Sequence, residues 1–285
     1  MLSCTIDCCP KLTMAENPAK HFNELADTYE GLIGLITGDI AHQILYELLP
    51  APDSAAVIHD NACGTGLVTQ YLEDIASRTG SYPTIHATDF VPSVVDVTKH
   101  KSETLKWKNV DASVMDSQAL TFPDELFDLS ITNFGIFFLP EPQKGADHIY
   151  RTLKPGGTAV VTTWKERRLM DTLKQAQQLI RPDLKPWGAP WEEEWSKEET
   201  LRAVLEKAGF KGDKIQIVER RTDAVAQPFL RDVHLVTKAY PVVVKEWREE
   251  EKERLGPEML KLLQARNGGP AEGLCHIAYV AIAKK

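Results

Sequence analysis

The chain has 285 residues, of which 43% are hydrophobic and 26% are charged, as is typical of a globular protein. Asp and Glu outnumber Lys and Arg by 41 to 33, which gives a formal net charge of −8. Because sequence-independent nucleic-acid binding depends on neutralising phosphates, this acidic balance without a basic tract argues against DNA or RNA as a partner.

The sequence shows no membrane or secretory segment. No apolar run reaches the roughly 18 residues that a membrane helix needs, and residues 1–12 lack the basic and apolar regions of a signal peptide. The five cysteines are odd in number and three lie in the leading tail, so they do not form a disulfide framework. They are Cys4, Cys8, Cys9, Cys63 and Cys275. We expect a reducing, cytoplasmic compartment, and a disordered tail over residues 1–18 rather than a zinc site, since no Cys/His pair follows at zinc spacing.

Two predicted helices within residues 19–50 are followed by alternating strands and helices. Phe22 and Tyr29 lie on the first helix, at helical spacing. The predicted strands that follow are residues 55–62, 84–90, 110–116, 127–134 and 158–164. Strands that alternate with helices predict a parallel sheet, and their nearly continuous apolar character is typical of a sheet covered on both faces.

After Trp164 the pattern changes to helices, a Pro- and Trp-rich stretch and two further strands. We expect a helix from Ser196 to Gly209, capped by Ser196, and an insertion interrupted at Pro241 and Pro257. The last strand alternates in polarity, which favours an antiparallel strand. We expect a single domain over residues 19–285, acting as a monomer. Its core would be residues 55–165 and 196–285, with cap elements at 19–50, 182–195 and 229–266.

Polar residues follow the first four predicted strands, at the edge where open α/β sheets bind ligands. The turn after Asp60 contains Gly64 and Gly66, but Thr69 stands where a dinucleotide fingerprint has its third glycine. No Gly-Lys-Ser/Thr ending of a phosphate loop is present. An acidic residue before the turn favours a ligand with a cationic part over one with phosphates.

The segment HDNACGTG resembles the first motif of class I S-adenosylmethionine-dependent methyltransferases, acidic-x-Gly-x-Gly-x-Gly, with Ala62 in place of the first glycine. The segments ITNFGIFFL and YRTLKPGGTAVVTTW resemble the fourth motif and the strand-five signature of the same family. The resemblance covers about residues 55–165. It implies a Rossmann-like fold with seven mostly parallel strands flanked by helices, in which the N-terminal helices and the insertion form a cap.

The resemblance also implies a set of cofactor-binding residues. Asp89 would take the ribose hydroxyls and Phe90 would pack on adenine, with Asp116 and Ser117 near the adenine edge. The full set is Tyr29, Asp60, Ala62, Gly64, Gly66, Asp89, Phe90, Met115, Asp116, Ser117, Asn133 and Phe134. The alternatives are that Asp60, Asp89 and Asn133 only cap helices and that Phe90 is core.

One cysteine and two histidines in this region are interpreted as structural residues. We interpret Cys63 as a small residue in a tight turn rather than a nucleophile, and His59 and His86, inside strands, as structural. No base is assigned and no metal site is expected.

The methyl acceptor is inferred from resemblance to fungal secondary-metabolite methyltransferases of the gliotoxin bis-thiomethyltransferase type, which methylate both thiols of a reduced metabolite. This implies S-methylation of a small molecule, with N- and O-acceptors as alternatives. A thiol is partly ionised near neutral pH, so it has the least need of a base. Substrate contacts are expected from aromatic and cap residues, unless the tryptophans only pack the cap. They are Phe22, Phe137, Trp187, Trp191 and His234.

Two other functional classes are alternatives to a methyltransferase. A nucleotide-dependent oxidoreductase is disfavoured by Thr69 at the third glycine position. A non-catalytic module that binds the cofactor is disfavoured by the complete, ordered set of motifs.

Overall fold

The structure, a computed structural model, describes residues 34–285 apart from Pro190, Tyr240, Asn267 and Gly268. The predictions for the leading tail and for Phe22 and Tyr29 lie outside the described residues.

The described residues form a seven-stranded sheet in the order β3-β2-β1-β4-β5-β7-β6. Its strands are β1 Val57–Asn61, β2 Thr84–Asp89, β3 Val110–Val114, β4 Phe127–Thr132, β5 Leu153–Arg167, β6 Ile215–Thr222 and β7 His276–Lys284. The first five strands are parallel, whereas β7 lies antiparallel between β5 and β6. The expected Rossmann-like sheet and its antiparallel last strand are confirmed.

Helices cover the sheet, and several further helices lie in the C-terminal part of the chain. Helix α1 spans residues 34–43 and continues into a π-helical turn, Ile44–Leu48. The others are α2 Leu67–Thr79, α3 Pro92–Thr104, α4 Pro142–Thr152, α5 Arg168–Ile180, α6 Glu192–Trp195, α7 Glu198–Ala208, α8 Ala226–Arg231, α9 Leu235–Ala239, α10 Glu249–Gln264 and α11 Gly269–Leu274. None of these helices is long and apolar enough to cross a membrane.

The central strands are buried, and apolar side chains contribute much of that burial. Ile58 of β1, Ile131 of β4 and Val160 of β5 are each at most 1% exposed. Burying one such side chain contributes about 1.5–3 kcal/mol, so the middle of the sheet is the rigid part of the fold. The carboxyl ends of β1, β2 and β4 meet at one edge, at the switch point between β1 and β4.

Two local predictions were wrong. Ser196 does not cap α7: Lys197 precedes the helix without a side-chain cap, and the Ser196 hydroxyl donates to the Glu193 carbonyl. Pro257 does not interrupt the insertion, because α10 runs through it. An internal proline costs about 3 kcal/mol, but Leu255, Met259 and Leu263 on the same helix are fully buried. Burial of three such side chains outweighs that cost.

Candidate functional site

The turn between β1 and α2 is held in a left-handed conformation at three positions. The φ angles of Ala62, Gly64 and Gly66 are 58°, 54° and 80°. Glycine adopts this region freely, whereas alanine does so at a cost of about 1–2 kcal/mol. Space for the Ala62 methyl depends on Gly135, because a Cβ added at Gly135 would lie 2.6 Å from the Cβ of Ala62. The two positions are therefore sterically coupled.

Asp89, at the end of β2, fixes this turn from one side. Its Oδ2 accepts the Gly64 backbone N–H at 2.9 Å, and its Oδ1 accepts the Val91 N–H at 2.9 Å. Burial raises the pKa of Asp89 above its ordinary value, and the backbone hydrogen bonds oppose that shift. Helix α3 holds the other side of the turn, since the Thr98 hydroxyl donates to the Gly64 carbonyl and the Lys101 Nζ to the Thr65 carbonyl.

Asp60 lies behind the turn. Its Oδ2 accepts both the backbone N–H of Thr69, at 3.0 Å, and the Thr69 hydroxyl, at 2.7 Å. Burial raises the pKa of Asp60 to about 7. Asp60 thereby ties the first turn of α2 to β1, which is the capping alternative considered from the sequence.

A cavity opens in front of the turn, and we call it the loop cavity. It is lined by Ala62, Gly64, Thr65, Asp89, Phe90, Val91, Val94, Ser117, Asn133, Phe134, Gly135, Phe138 and Leu139. Seven of the expected cofactor residues are in this lining. The other four described residues of that set do not line the cavity; they are Asp60, Gly66, Met115 and Asp116. The exposed carboxylate of Asp116 accepts hydrogen bonds from Gln118.

The lining has the chemistry of a nucleoside site. Among the described residues of its lining, Asp89 is the one charged residue, and none is Lys, Arg or His. A phosphate-bearing ligand would find no cation there, whereas ribose hydroxyls can donate to a carboxylate and a purine can lie on apolar side chains. The pocket therefore fits a nucleoside with a cationic part.

The sequence matches known proteins of one chemical class. A family described as "Methyltransferase domain" matches residues 59–161. The ubiquinone/menaquinone biosynthesis C-methyltransferase UbiE of Hydrogenovibrio crunogenus is 36% identical over 185 residues, 60% of this chain and 70% of that protein. The acetylaranotin bis-thiomethyltransferase of Aspergillus terreus is 26% identical over 239 residues, 80% of this chain and 81% of that protein.

One solved structure shows the same fold. The phosphoethanolamine N-methyltransferase 2 of Haemonchus contortus, in complex with S-adenosylhomocysteine, has a TM-score of 0.56 and 16% identity. The similarity covers 93% of this chain and 60% of that one.

The chain belongs to the class I S-adenosylmethionine-dependent methyltransferases. S-adenosylmethionine is therefore its cofactor, as expected from the motifs.

A buried hydrogen-bond network orders the polar side of the loop cavity in this methyltransferase. The Asn61 amide donates to the Thr132 hydroxyl at 3.0 Å and accepts from the Ser117 hydroxyl at 2.8 Å. The network joins β1 and β4 to the segment after β3. Because buried polar groups need partners, it holds Ser117 in one orientation at the cavity wall.

Asn133 and Phe134 are fixed in a similar way by β5 and α1. The Thr162 hydroxyl donates to the Asn133 side chain at 3.0 Å and accepts the Phe134 N–H at 2.8 Å. The Asn133 amide also donates to the Thr37 carbonyl in α1, at 3.1 Å. Phe134 has a φ of 57°, which is unusual for a bulky residue and typical of functional sites.

The structural interpretations of Cys63 and His59 agree with their surroundings. Burial, together with the charges of Asp60 and Asp89, raises the pKa of the Cys63 thiol, so no thiolate forms beside the turn. Burial lowers the pKa of His59 to about 3, and its ring stacks on Phe127 at 4.8 Å. His59 is therefore a neutral core residue.

Only two of the residues expected to contact substrate, Phe137 and Trp191, are brought together in the described structure. Phe137 is buried and packs on Trp191 at 4.2 Å between ring centroids. Trp187 lines a separate cavity beside Gln177, and His234 lines a third. Of these four described residues, Phe137 and Trp191 lie near the methyltransferase site.

Six residues of the lining were missed from the sequence. They are Thr65, Val91, Val94, Gly135, Phe138 and Leu139. Three of them lie in the segment ITNFGIFFL, which the family resemblance already marked as a motif. Val91 directly precedes α3 and Val94 lies in its first turn, so the position of that helix start was the available signal.

Proposed function

We propose that this methyltransferase binds S-adenosylmethionine in the loop cavity and methylates thiols of a small metabolite, twice when the acceptor is a dithiol. The observation that carries the cofactor part is the loop cavity itself, in which Asp89 is the one charged residue of the described lining and lies beside a left-handed turn.

Asp89 is the residue we assign to the ribose hydroxyls. Each of its oxygens accepts one backbone N–H, and a carboxylate oxygen can accept more than one donor. The two N–H groups fix the carboxylate before any ligand arrives, so little ordering is needed on binding.

The apolar part of the lining is assigned to the adenine. Phe90 is 39% exposed, which is high for a phenylalanine, and Val94 and Leu139 line the same cavity. An exposed ring of this kind gains from covering by a flat ligand. Ser117 is assigned to the adenine edge, and the turn at Ala62 and Gly64 to the amino-acid part.

Methyl transfer needs alignment and exclusion of water more than proton transfer. S-adenosylmethionine supplies a methyl group that its sulfonium already activates. The acceptor sulfur forms the new bond to that methyl carbon as the old carbon–sulfur bond breaks, and the thiol proton goes to solvent. Phe134, fixed by Thr162 and stacked on Trp164 at 3.8 Å, gives the cavity a rigid aromatic wall.

The thiol acceptor is supported by the lining and by one relative. None of the described residues that line the loop cavity is His or Lys, and a thiol has less need of a base than a phenol does. The acetylaranotin bis-thiomethyltransferase aligns over 80% of this chain, which is more than the 60% aligned with UbiE. We expect the regions outside residues 55–165 to select the acceptor, so the longer alignment carries more weight.

Methylation at carbon is the second candidate, because the relative UbiE is named as a C-methyltransferase and is 36% identical. N- and O-methylation remain further alternatives.

Product masses test the acceptor directly. The purified protein would be incubated with S-adenosylmethionine and, in parallel, a reduced cyclic dithiol, a phenol, an amine and a quinol. We expect mono- and dimethylated dithiol and no product from the others. Methylation of the phenol, amine or quinol, with the dithiol untouched, would reject the thiol assignment and leave the cofactor assignment intact.

A further inference from the structure

The connection between β3 and β4, which we call the 115–126 segment, forms part of the wall of the loop cavity. The structure describes this segment in full and places no helix or strand in it. It carries Ser117, which lines the cavity. Because the backbone of such a segment lacks the regular partners of a helix or strand, side chains elsewhere must bind it if it is to keep one path. Whatever binds the 115–126 segment therefore decides where Ser117 lies.

Arg151, in the last turn of α4, binds this segment at three points. Its Nη2 donates to the Leu120 carbonyl at 2.8 Å. Its Nη1 donates to the Phe122 carbonyl at 2.8 Å and to the Asp124 carboxylate at 2.6 Å. A guanidinium presents its donors in a rigid, planar fork, so the three acceptors are held at a fixed spacing. One side chain thus fixes the path of the segment from Leu120 to Asp124.

His148, three residues earlier on α4, holds the guanidinium in place. Its Nδ1 lies 3.0 Å from Nη2 of Arg151. Because a guanidinium can only donate, Nδ1 accepts this hydrogen bond and the ring is neutral. Burial and the charge of Arg151 lower the pKa of His148, in agreement with a neutral ring. The position of Arg151 is therefore set by its own helix as well as by the segment.

Ser117 is oriented by the same part of the fold. Its hydroxyl donates to Oδ1 of Asn61 at 2.8 Å, and the Asn61 amide donates to the Thr132 hydroxyl at 3.0 Å. With its proton directed to Asn61, the Ser117 oxygen has only lone pairs to offer a ligand. Adenine presents an amino group at its edge, which is a donor, whereas an oxo-purine presents an acceptor there. Ser117 in this orientation fits the amino edge of adenine.

We propose that Arg151 is a positioning residue for the cofactor: it holds the 115–126 segment in the path that keeps the Ser117 oxygen at the adenine edge. Arg151 is not among the described residues that line the loop cavity, so it acts through the segment and does not touch the ligand. The inference rests on the proposed assignment of the loop cavity to the cofactor, and it is independent of which acceptor is methylated.

Two matched ligands separate a role in positioning from a role in folding. S-adenosylhomocysteine and S-inosylhomocysteine differ only at the purine edge, where the second has a carbonyl in place of the amino group. Their Kd values would be measured by calorimetry. The ratio of the two Kd values reports recognition of the edge, because a general loss of folded protein weakens both ligands equally. We expect wild-type protein to bind S-adenosylhomocysteine about 10-fold more tightly, as for one hydrogen bond to a buried group.

Three variants give the readout. Arg151→Met removes the guanidinium, and Arg151→Lys keeps the charge on a single nitrogen that cannot replace the fork. Arg202→Met in α7 is the matched control: the Arg202 side chain is 33% exposed, against 31% for Arg151, and it also binds one carbonyl and one carboxylate. We expect Arg151→Met to raise the Kd for S-adenosylhomocysteine about 10-fold and to bring the ratio close to 1. Arg151→Lys should give an intermediate ratio, and Arg202→Met the wild-type ratio.

The outcomes distinguish this inference from the proposed function. Wild-type Kd values in Arg151→Met, equal weakening of both ligands, or a wild type that binds the two ligands alike would overturn the role of Arg151. If Arg151→Met fails to fold, the ratio in Arg151→Lys decides by the same criteria. Asp89→Ala, titrated with S-adenosylhomocysteine in the same series, tests the cofactor site separately. Unchanged affinity there would reject the loop cavity as the cofactor site, whereas a loss there with a wild-type ratio in Arg151→Met would reject only the inference about Arg151.

Discussion

Thr69 occupies the position at which a dinucleotide site has its third glycine, and in the structure it has a hydrogen-bonding role that glycine could not fill. Its hydroxyl and its backbone N–H both bind the buried carboxylate of Asp60. A glycine there would supply one of these two hydrogen bonds. Thr69 therefore anchors α2 to β1 through its hydrogen bonds to Asp60, which lies behind the cavity.

The steric coupling of Ala62 and Gly135 predicts a non-additive pair of substitutions. Gly135→Ala places two Cβ atoms at 2.6 Å, so we expect a loss of about 1–3 kcal/mol in the free energy of unfolding. Ala62→Gly removes one of the two methyl groups and the left-handed alanine. The double variant should therefore recover most of the loss, as measured by urea denaturation of all four proteins. Additive effects would show that the methyl groups do not meet.

His59 predicts a pH dependence of stability with a definite sign. Its pKa is lowered from 6.5 to about 3 in the fold, mainly by burial, so the unfolded chain takes up a proton that the folded chain does not. The stabilisation is complete above about pH 6.5 and is lost as the pH falls toward about 3.

The matched comparison for this effect is His59→Gln, which keeps a polar group for Thr88 and does not titrate. Urea denaturation from acid to neutral pH should show wild-type stability rising more steeply than that of the variant. The difference should reach up to about 3 kcal/mol across two to three pH units. Parallel curves would contradict the buried neutral state.

At the scale of elements, α3 shapes the cofactor turn as much as β1 does. A Cβ added at Gly66 would meet the Thr98 side chain at 2.9 Å, and the Thr98 hydroxyl binds the Gly64 carbonyl at 3.0 Å. The turn is therefore pressed against this helix, and Gly66 is needed for close approach as well as for its left-handed φ.

Removing that contact should weaken cofactor binding without removing the cavity. We expect Thr98→Val, which keeps the shape of the side chain, to raise the Kd for S-adenosylhomocysteine about 5- to 10-fold, equivalent to one hydrogen bond. Thr104→Val on the same helix is the control, because that hydroxyl binds only carbonyls of its own helix. Equal Kd values for the two variants would show that this contact with α3 does not contribute to cofactor binding.

The pattern of hydrophobic residues was sufficient to predict most elements but not how they end. The helical pattern expected after Trp164 is confirmed in α5, Arg168–Ile180, because its apolar residues recur on one face that the core buries. Ser196 and Pro257 were misjudged because local propensity was outweighed by the packing of neighbouring elements. Trp187 and Trp191 are close in sequence yet face different cavities, which only the tertiary path of the chain decides.

At the scale of the whole molecule, the C-terminal strand β7 connects β5 to β6 within the sheet. It pairs with β5 and β6, and Lys285 exchanges backbone hydrogen bonds with Gly156 and Gly157. The order of motifs predicted the parallel half of the sheet. The place of β7 between β5 and β6 was not predicted, since alternation alone does not say which strands flank it.

This arrangement predicts that residues 19–285 unfold as one unit. Calorimetry should show a single transition whose midpoint rises with S-adenosylhomocysteine, because a ligand that binds only the folded state stabilises it. Light scattering should give the 31.9 kDa mass of a monomer. Two separable transitions, with only one shifted by the ligand, would divide the chain into two domains.

The assignment of the loop cavity to S-adenosylmethionine is tested most directly by titrating the cofactor into wild-type protein and Asp89→Ala. Asp128→Ala is the control, since that carboxylate also accepts a backbone N–H but lies at the opposite end of the sheet strands. We predict clear binding to the wild type and the control, and at least a 10-fold loss in Asp89→Ala, about the effect of losing one charged hydrogen bond. Equal affinity in all three proteins would contradict the account.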